Sequence, residues 1–277
     1  MKRLFMLLLC LMMICACNKK EIKQNEFNSG QATNILNQTD KDKVKGIFLS
    51  KDLSNVDIFF NWMDDFNKEE DLGCGINNWT NNLKLQYNEN ACADRYEKNH
   101  SISDGNCRLT AFALIDDKLK IKDTVQNYGT YLMFDFDVLE NNEDYKVVNE
   151  KFDKFVTLFD EIDISKEKLD DLDKIFTNKW KNYGISIDDG DVSLISVVMH
   201  DPYSKVLFVG HAGVLIKLDN QYLFVEKIAF EQPYQISIFD ELNDLKEMFK
   251  SRPTYFGDEK EMGPFVYQND KLLFTLK

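Results

Sequence analysis

Cys107 lies in sequence that suits a nucleophile. The string SDGNCRLTAFAL places turn and capping residues, Asp104 to Asn106, before the cysteine and an apolar helical pattern with Leu109 and Phe112 after it. The thiol is therefore predicted in the first turn of a helix, where unpaired N–H groups and the helix dipole favour a thiolate and can bind an oxyanion. The alternative is a small buried residue at a helix start.

A nucleophilic cysteine needs a base, and His211 has the most suitable context among the three histidines. The string GHAGVLI predicts that His211 lies on a strand, beside small residues that leave room for another part of the chain. His100 and His200 are interpreted as surface or packing residues. A histidine on a strand is also compatible with a purely structural role.

Glu226 is the predicted partner of this histidine. A hairpin turn centred on residues 219–220 pairs Gly213 with Glu226 and places Glu226 diagonally next to His211, about 7 Å away between Cα atoms. A four-residue loop with the same centre keeps this register, whereas a three-residue loop reverses the face and removes the contact. The fallback partners are Glu231, Gln232 and Gln235.

The elements that must position these residues are helical in the first half of the chain. Apolar residues recur at helical spacing from Val56 to Phe66, behind a Ser54–Asn55 cap. Two further helices are predicted, one from Tyr145 to Phe159 and one from Leu169 behind a Ser165 cap.

From Val192 onward the sequence changes to β-rich runs, DVSLISVVMH, KVLFVGHAGVLIKL and QYLFVEKIAF, which favour an antiparallel sheet. A helix around Phe239 to Lys250 follows, and FVYQ-ND-KLLF predicts a closing hairpin on Asn269–Asp270. Helices followed by strands indicate an α+β fold. Residues 33–277 contain neither an internal repeat nor a Pro/Gly-rich linker, and they are interpreted as a single domain.

The first residues, MKRLFMLLLCLMMICACNKK, carry two basic residues, an apolar core and a small residue before Cys17. The string ICAC resembles the bacterial lipobox, which implies cleavage before Cys17 and acylation of that residue. Residues 1–16 are then a signal peptide and residues 17–32 a lipidated cysteine with a flexible tether. The protein is thus predicted to be lipid-anchored at the extracytoplasmic face of the cell membrane. A plain secretory signal and an uncleaved anchor are the alternatives.

The charge of the mature chain restricts its partners. The whole chain has a formal charge of −13, and loss of Lys2 and Arg3 with the signal makes it −15. Nucleic acid and anionic surfaces are therefore not expected as partners.

Cysteine usage follows from the same cleavage. Removal of the signal and lipidation of Cys17 leave Cys74, Cys92 and Cys107, and an odd number in an oxidising compartment predicts one pair and one free thiol. A Cys74–Cys92 bridge would contribute about 3 kcal/mol by loop entropy and leave Cys107 free. The alternative is that all three remain reduced and pack as small apolar residues.

These features together resemble the papain-like cysteine peptidases and amidases, including the NlpC-type cell-wall hydrolases. A cysteine opens a helix, a histidine follows on an antiparallel strand and a polar residue lies on the next strand. The resemblance implies a papain-like fold with Cys107 as nucleophile, His211 as base and Glu226 as orienting residue. Papain's oxyanion glutamine is absent upstream of the cysteine, and the nearest substitutes are Ser101 and Asn106.

The strings NCRLTAFALI, GHAGVLI and FVEKIAFEQPYQ also resemble an uncharacterised bacterial lipoprotein family with a domain of unknown function. The function expected from both resemblances is a papain-like cysteine hydrolase or transpeptidase acting on amide bonds, with cell-wall peptide as the substrate in reach of the tether. The rival is a non-catalytic surface lipoprotein, either a binding module or an inactive papain-like fold.

No cofactor and no metal site are expected. The sequence lacks HxxxH, CxxC and HExxH metal spacings, phosphate-binding glycine loops and the GxSxG elbow. The acidic cluster at Asp188–Asp191 is interpreted as a turn, with calcium binding as the minor alternative.

Overall fold

The computed structural model describes residues 27–34, 36–68, 74–84, 87–98, 104–188 and 190–277. The helices, in chain order, are α1 (Gln38–Ser50), α2 (Val56–Asn67), α3 (Glu89–Lys98), α4 (Cys107–Ile115), α5 (Met133–Asn141), α6 (Lys146–Asn149), α7 (Phe152–Phe159), α8 (Leu172–Tyr183) and α9 (Leu242–Lys250). Most of them precede the main strands, and the predicted α+β class is confirmed.

The predicted signal peptide, residues 1–16, and the predicted lipidation site Cys17 lie outside the described residues, as does most of the predicted tether. Within the ranges given above, none of the helices combines the length and the apolar composition that a membrane span requires.

The strands form one large antiparallel sheet and a separate short pair. The strands are β1 (Gln31–Thr33), β2 (Leu119–Lys120), β3 (Ile162–Asp163), β4 (Ser186–Ile187), β5 (Val192–Asp201), β6 (Val206–Lys217), β7 (Tyr222–Lys227), β8 (Tyr234–Phe239), β9 (Phe265–Gln268) and β10 (Lys271–Thr275). The sheet runs in the order β1-β8-β7-β6-β5-β9-β10, with β3 also on β6, while β2 pairs with β4. The predicted closing hairpin is confirmed, because β9 and β10 pair around Asn269 and Asp270.

Helix α4 lies at the centre of the main core. All nine of its residues are buried. It packs against β6 and β7 on one side and against α2, α6 and α7 on the other, and the Phe112 ring meets Phe155 of α7 at a centroid distance of 5.5 Å. The apolar helical pattern that follows Cys107 is therefore a core-packing pattern, and it fixes the helix rigidly against the sheet.

Strand β6 separates two clusters of buried side chains. Ala212, Val214 and Ile216 belong to the main core with α4, whereas Leu215 belongs to a second cluster with Phe249 of α9. Since successive side chains of a strand point to opposite faces, α4 and α9 cover opposite faces of the sheet.

The cysteines pair as predicted from their number. Cys74 and Cys92 form a disulfide that ties α3 to the segment before it, with a Cα–Cα distance of 4.8 Å. Cys107 is the free cysteine of the described part of the chain, and it is buried.

Three secondary-structure predictions are wrong in detail. The segment from Tyr145 to Phe159 is not one helix, because Lys151 leaves the helical region (φ −122°, ψ 30°) and its ammonium bonds Asp116 instead. Helix α8 is capped at Asp171 and not at Ser165, since a short 3₁₀ turn precedes it. The helix expected around Phe239 starts only at Leu242, because the residues before it form β8.

The predicted tether extends too far into the chain. Gln31 and Ala32 belong to β1 and pair with Ile238 and Ser237 of β8. Their backbone groups complete the edge of the sheet, so these two residues are part of the fold.

Candidate active site

Cys107 is the first residue of α4, as predicted. The preceding residue, Asn106, is the N-cap: its side-chain Oδ1 accepts hydrogen bonds from the N–H groups of Arg108 (2.9 Å) and Leu109 (3.2 Å). This cap satisfies two of the free donors of the first turn and fixes where the helix begins. The thiol is thereby held at the positive end of the helix.

A buried ion pair anchors this helix start to the rest of the fold. Asp135 of α5 accepts bonds from Arg108 Nε (3.1 Å) and Nη2 (2.5 Å) and from the amide Nδ2 of Asn106 (2.8 Å). Arg108 Nη1 also donates to the carbonyl of Val209 on β6 (2.8 Å). The residues on both sides of Cys107 are therefore fixed by hydrogen bonds to α5 and β6.

Asn106 and Ser101 are the residues predicted to replace the oxyanion glutamine of papain. Asn106 Oδ1 accepts the helix-cap bonds, and the amide Nδ2 uses one of its two N–H groups to bond Asp135, so the role of this amide as the oxyanion donor stays a prediction. Ser101, the other substitute, lies outside the described residues.

Gly105 sets the approach to the cysteine. Its N–H donates to the hydroxyl of Tyr145 (2.7 Å), and a Cβ at this position would lie 2.1 Å from the Tyr145 ring. That ring is stacked on Trp62 at a centroid distance of 4.4 Å, so it has little freedom to move away. Position 105 therefore requires glycine, because any side chain there would clash with the Tyr145 ring.

The free edge of β6 receives the start of α4. On the side opposite β5, β7 pairs with β6 only at residues 214–217 and β3 only at residues 206–207. The gap between them exposes backbone groups to α4: the N–H of Ala212 hydrogen-bonds the Cys107 sulfur, and the carbonyl of Val209 accepts from Arg108. The thiol thus lies against the backbone of the strand that carries the histidine.

A β-bulge lies next to His211. Val197 of β5 pairs with His211 and Val198 pairs with Val209, so Gly210 is the extra residue on β6. A Cβ on Gly210 would meet the side chain of Met199 at 2.3 Å. Bulges bend a strand and redirect the neighbouring side chain, and this one directs His211 toward Cys107.

The predicted register between β6 and β7 is confirmed. Val214 pairs with Val225 and Lys217 with Tyr222 across a four-residue loop, which brings Glu226 to the position diagonal to His211. His211 Nε2 and Glu226 Oε2 are 2.6 Å apart. With Nε2 engaged by the carboxylate, the other ring nitrogen, Nδ1, is the one that faces the Cys107 thiol, with which the ring also hydrogen-bonds.

Arg252 and Tyr255 complete the site and were not anticipated from the sequence. Arg252 follows α9 and binds both oxygens of Glu226, with Nη1–Oε2 at 2.7 Å and Nη2–Oε1 at 2.6 Å. Nη1 also donates to the Tyr255 hydroxyl at 2.7 Å, and the Tyr255 ring packs 5.7 Å from the His211 ring. The histidine is therefore oriented by a carboxylate that is itself held in a bidentate ion pair.

The fallback partners of the histidine are placed elsewhere. Gln235 lies on β8 directly opposite Glu226, but its side-chain amide Nε2 donates to Ser237 Oγ at 3.2 Å. Gln232 contributes its backbone carbonyl to Lys227. The imidazole contact belongs to Glu226.

The electrostatics of the site favour an ionised cysteine and histidine. Burial alone raises the pKa of the Cys107 thiol, but the His211 charge, its hydrogen bond and the nearby Arg108 outweigh burial, so the pKa falls below its usual value. Burial alone lowers the pKa of His211, yet Cys107 and Glu226 raise it above its usual value. Both shifts favour transfer of the thiol proton to the imidazole.

The pKa of Glu226 is the lowest of this group. Burial opposes ionisation, but the Arg252 guanidinium and the bond from His211 hold the pKa of Glu226 at about 2. The carboxylate therefore remains charged at all physiological pH values and stabilises a protonated His211.

The family follows from a comparison of the chain with family models. One model, described as "Domain of unknown function (DUF4300)", matches residues 31–273. The chain belongs to this family. The match includes Cys107, His211, Glu226 and Arg252 and begins at the first residue of β1. Comparisons with curated proteins and with solved structures give no match.

The other residues considered from the sequence lie away from the site. His200, on β5, is buried, and its Nδ1 accepts a hydrogen bond from the N–H of Met262 (3.1 Å), in agreement with a packing role. His100 lies outside the described residues. Asp188 and Asp191 form ion pairs with Lys120 and Lys51.

Among the residues that the structure describes, no three His, Cys, Asp or Glu side chains are grouped so that they could hold a metal ion.

Proposed function

We propose that this protein is a papain-like cysteine hydrolase or transpeptidase that acts on amide bonds. The observation that carries the proposal is the buried chain of contacts from Cys107 through His211 to Glu226, with the cysteine at a helix start. A purely structural cysteine has no need of a histidine that is oriented by a charged carboxylate. Nucleophilic cysteines have this environment.

In the proposed mechanism His211 accepts the Cys107 proton and the thiolate sulfur attacks the amide carbonyl carbon. The tetrahedral intermediate collapses, the carbon–nitrogen bond breaks and the leaving amine takes the proton from His211. Water or a second amine then attacks the thioester, His211 removes its proton, and the sulfur leaves as the thiolate, which stays paired with the protonated His211. Glu226 holds the imidazole in orientation through both steps.

The backbone N–H of Cys107 supports this assignment. The cap on Asn106 uses the N–H groups of Arg108 and Leu109, while no hydrogen bond between described residues uses the N–H of Cys107. This donor, which the described residues leave unused, lies beside the attacking sulfur, where an oxyanion forms when that sulfur adds to a carbonyl.

The proposed location is the extracytoplasmic face of the cell membrane, with lipid on Cys17 as the anchor. The Cys74–Cys92 disulfide supports it, because such bonds persist in oxidising compartments. Cell-wall peptide is the amide substrate that such an anchor brings within reach.

A second candidate, a non-catalytic surface lipoprotein, is favoured by one observation. Cys107 is only 6 % exposed. In this alternative the polar network specifies the fold, and the thiol never meets a substrate.

Alkylation of Cys107 by iodoacetamide as a function of pH distinguishes the two. The full-length protein is labelled, and peptide mass spectrometry measures the rate at Cys107 separately from the other cysteines. An ordinary thiol gains about 50-fold in rate between about pH 6.5 and 8.5, since its pKa is near 8.5. The proposal predicts a gain below about fivefold, because the thiolate already exists at the lower pH.

Two matched histidine variants complete the test. His211→Asn should restore the steep pH dependence, whereas His200→Asn, on the neighbouring strand, should leave the shallow profile unchanged. A steep profile in the unaltered protein would favour the non-catalytic alternative.

A further inference from the structure

A cavity of about 320 Å³ lies beside the cysteine. Its lining includes Asn106, the residue directly before Cys107. The complete lining consists of Tyr96, Asp104, Asn106, Met133, Phe134, Asp137, Val138 and Phe230. Four different parts of the chain therefore meet next to the proposed nucleophile.

This cavity collects exposed apolar side chains. Phe134 is 65 % exposed, Met133 59 % and Tyr96 42 %, and all three line it. Phe230 lies between the two aromatic rings, 5.4 Å from Tyr96 and 6.3 Å from Phe134 between centroids. Single exposed apolar residues are common on protein surfaces, but a contiguous group around a cavity marks a binding site.

The walls are built on the same supports as the catalytic residues. Met133 and Phe134 open α5, whose Asp135 fixes Asn106 and Arg108. On the opposite wall, the loop that carries Phe230 follows β7 and is fixed by a bond from the buried ammonium of Lys227 to the Phe230 carbonyl at 3.4 Å. The position of the cavity relative to Cys107 is therefore set by the fold.

The charge of the lining restricts the ligand. Asp104 and Asp137 are the charged residues among those that line the cavity, and neither Lys nor Arg is among them. Asp104 is paired with Arg95 at 2.7 Å. The charged side chains of the lining are thus carboxylates, which do not attract a carboxylate on the ligand, whereas an uncharged apolar group would bury surface against four large side chains.

We infer that this cavity receives a bulky apolar or aromatic side chain of the residue next to the scissile amide. The inference rests on the proposed function, since it assigns a substrate class to the same site. It favours a protein or peptide segment with large apolar residues over cell-wall peptide, whose alanine and acidic side chains would leave the cavity unfilled.

Chloromethyl ketones of N-acetylated amino acids test this inference. Their carbon–sulfur bond to Cys107 forms as chloride leaves, so each probe reports binding next to the sulfur. The phenylalanine probe should label Cys107 at least about tenfold faster than the alanine probe, with the glutamate probe slowest. An alanine or glutamate probe that reacts as fast as the phenylalanine probe would overturn the inference.

The variant Phe134→Ala removes one wall, and its exposure makes the change compatible with folding. With each probe rate divided by the iodoacetamide rate at Cys107 of the same variant, it should reduce the preference for phenylalanine over alanine to below about threefold. Leu49→Ala, an exposed apolar residue on α1, is the matched control and should keep the full preference. A full preference in Phe134→Ala would contradict the role of the cavity.

Iodoacetamide separates the two proposals. A steep pH profile at Cys107 would refute the proposed function whatever the probes show. A shallow profile together with equal rates for the three probes would refute only the role of the cavity.

Discussion

Two buried arginine–carboxylate pairs flank the candidate catalytic residues, and they differ in what else their carboxylates bind. On the α4 side, Asp135 binds Arg108 and the neutral amide of Asn106. On the α9 side, Glu226 binds Arg252 and the imidazole of His211. The first pair therefore positions the thiol, while the second also controls the charge of the base. Similar ion pairs perform different tasks because of their third partner.

The largest expected effects come from removing either arginine. Removing one partner of a buried ion pair lowers the free energy of unfolding by about 3–5 kcal/mol, because it leaves a buried charge uncompensated. Arg108→Met should lie at the upper end, because Asp135 keeps only a neutral amide, whereas in Arg252→Met the carboxylate of Glu226 keeps His211, which can carry a compensating charge. Urea denaturation at neutral pH measures both, and a larger loss for Arg252→Met would contradict the comparison.

Low pH should destabilise the fold on the α9 side by protonating Glu226. Its pKa is about 2 in the folded protein and about 4.3 when unfolded, so ionised Glu226 stabilises the fold above the unfolded value. About 3 kcal/mol of this stability should disappear as the pH falls from about 5 to about 1, below the folded pKa. Glu226→Gln should lose that part of the acid dependence, and the exposed control Glu247→Gln should keep it. Equal acid dependence in both variants, measured by urea denaturation, would refute the assignment.

Smaller effects are expected at two glycines, Gly105 next to the thiol and Gly210 next to the base. Gly105→Ala forces a Cβ into the Tyr145 ring, which is stacked on Trp62, and should cost about 1–3 kcal/mol. Gly210→Ala meets only the flexible Met199 side chain and should cost less than about 1 kcal/mol. Thermal unfolding measures both differences, and a reversed order would mean that the bulge is the more rigid of the two supports.

Short sequence patterns were sufficient to predict part of this site. The capping residue before Cys107 and the apolar pattern after it predict the helix start, and a short hairpin fixes the register that joins His211 to Glu226. Each of these features depends on residues close together in the sequence.

The remaining features depend on distant contacts. Arg252 lies 26 residues from Glu226, and nothing in its local sequence indicates a buried ion pair. Asp135 is fully buried against Arg108, and nothing in its local sequence distinguishes it from the exposed acidic residues of the chain. Strand β8 was missed because it follows Pro233 closely and its apolar run continues toward α9.

The central claim, that Cys107 and His211 form an ion pair, is tested most directly by ultraviolet absorbance of the thiolate during a pH titration. The spectrum of the Cys107→Ser variant is subtracted at each pH. The structure predicts a thiolate signal already present at neutral pH, which His211→Asn moves to about pH 8.5 or above. A signal that appears only near pH 8.5 in the unaltered protein, or that is unchanged in His211→Asn, would contradict the claim.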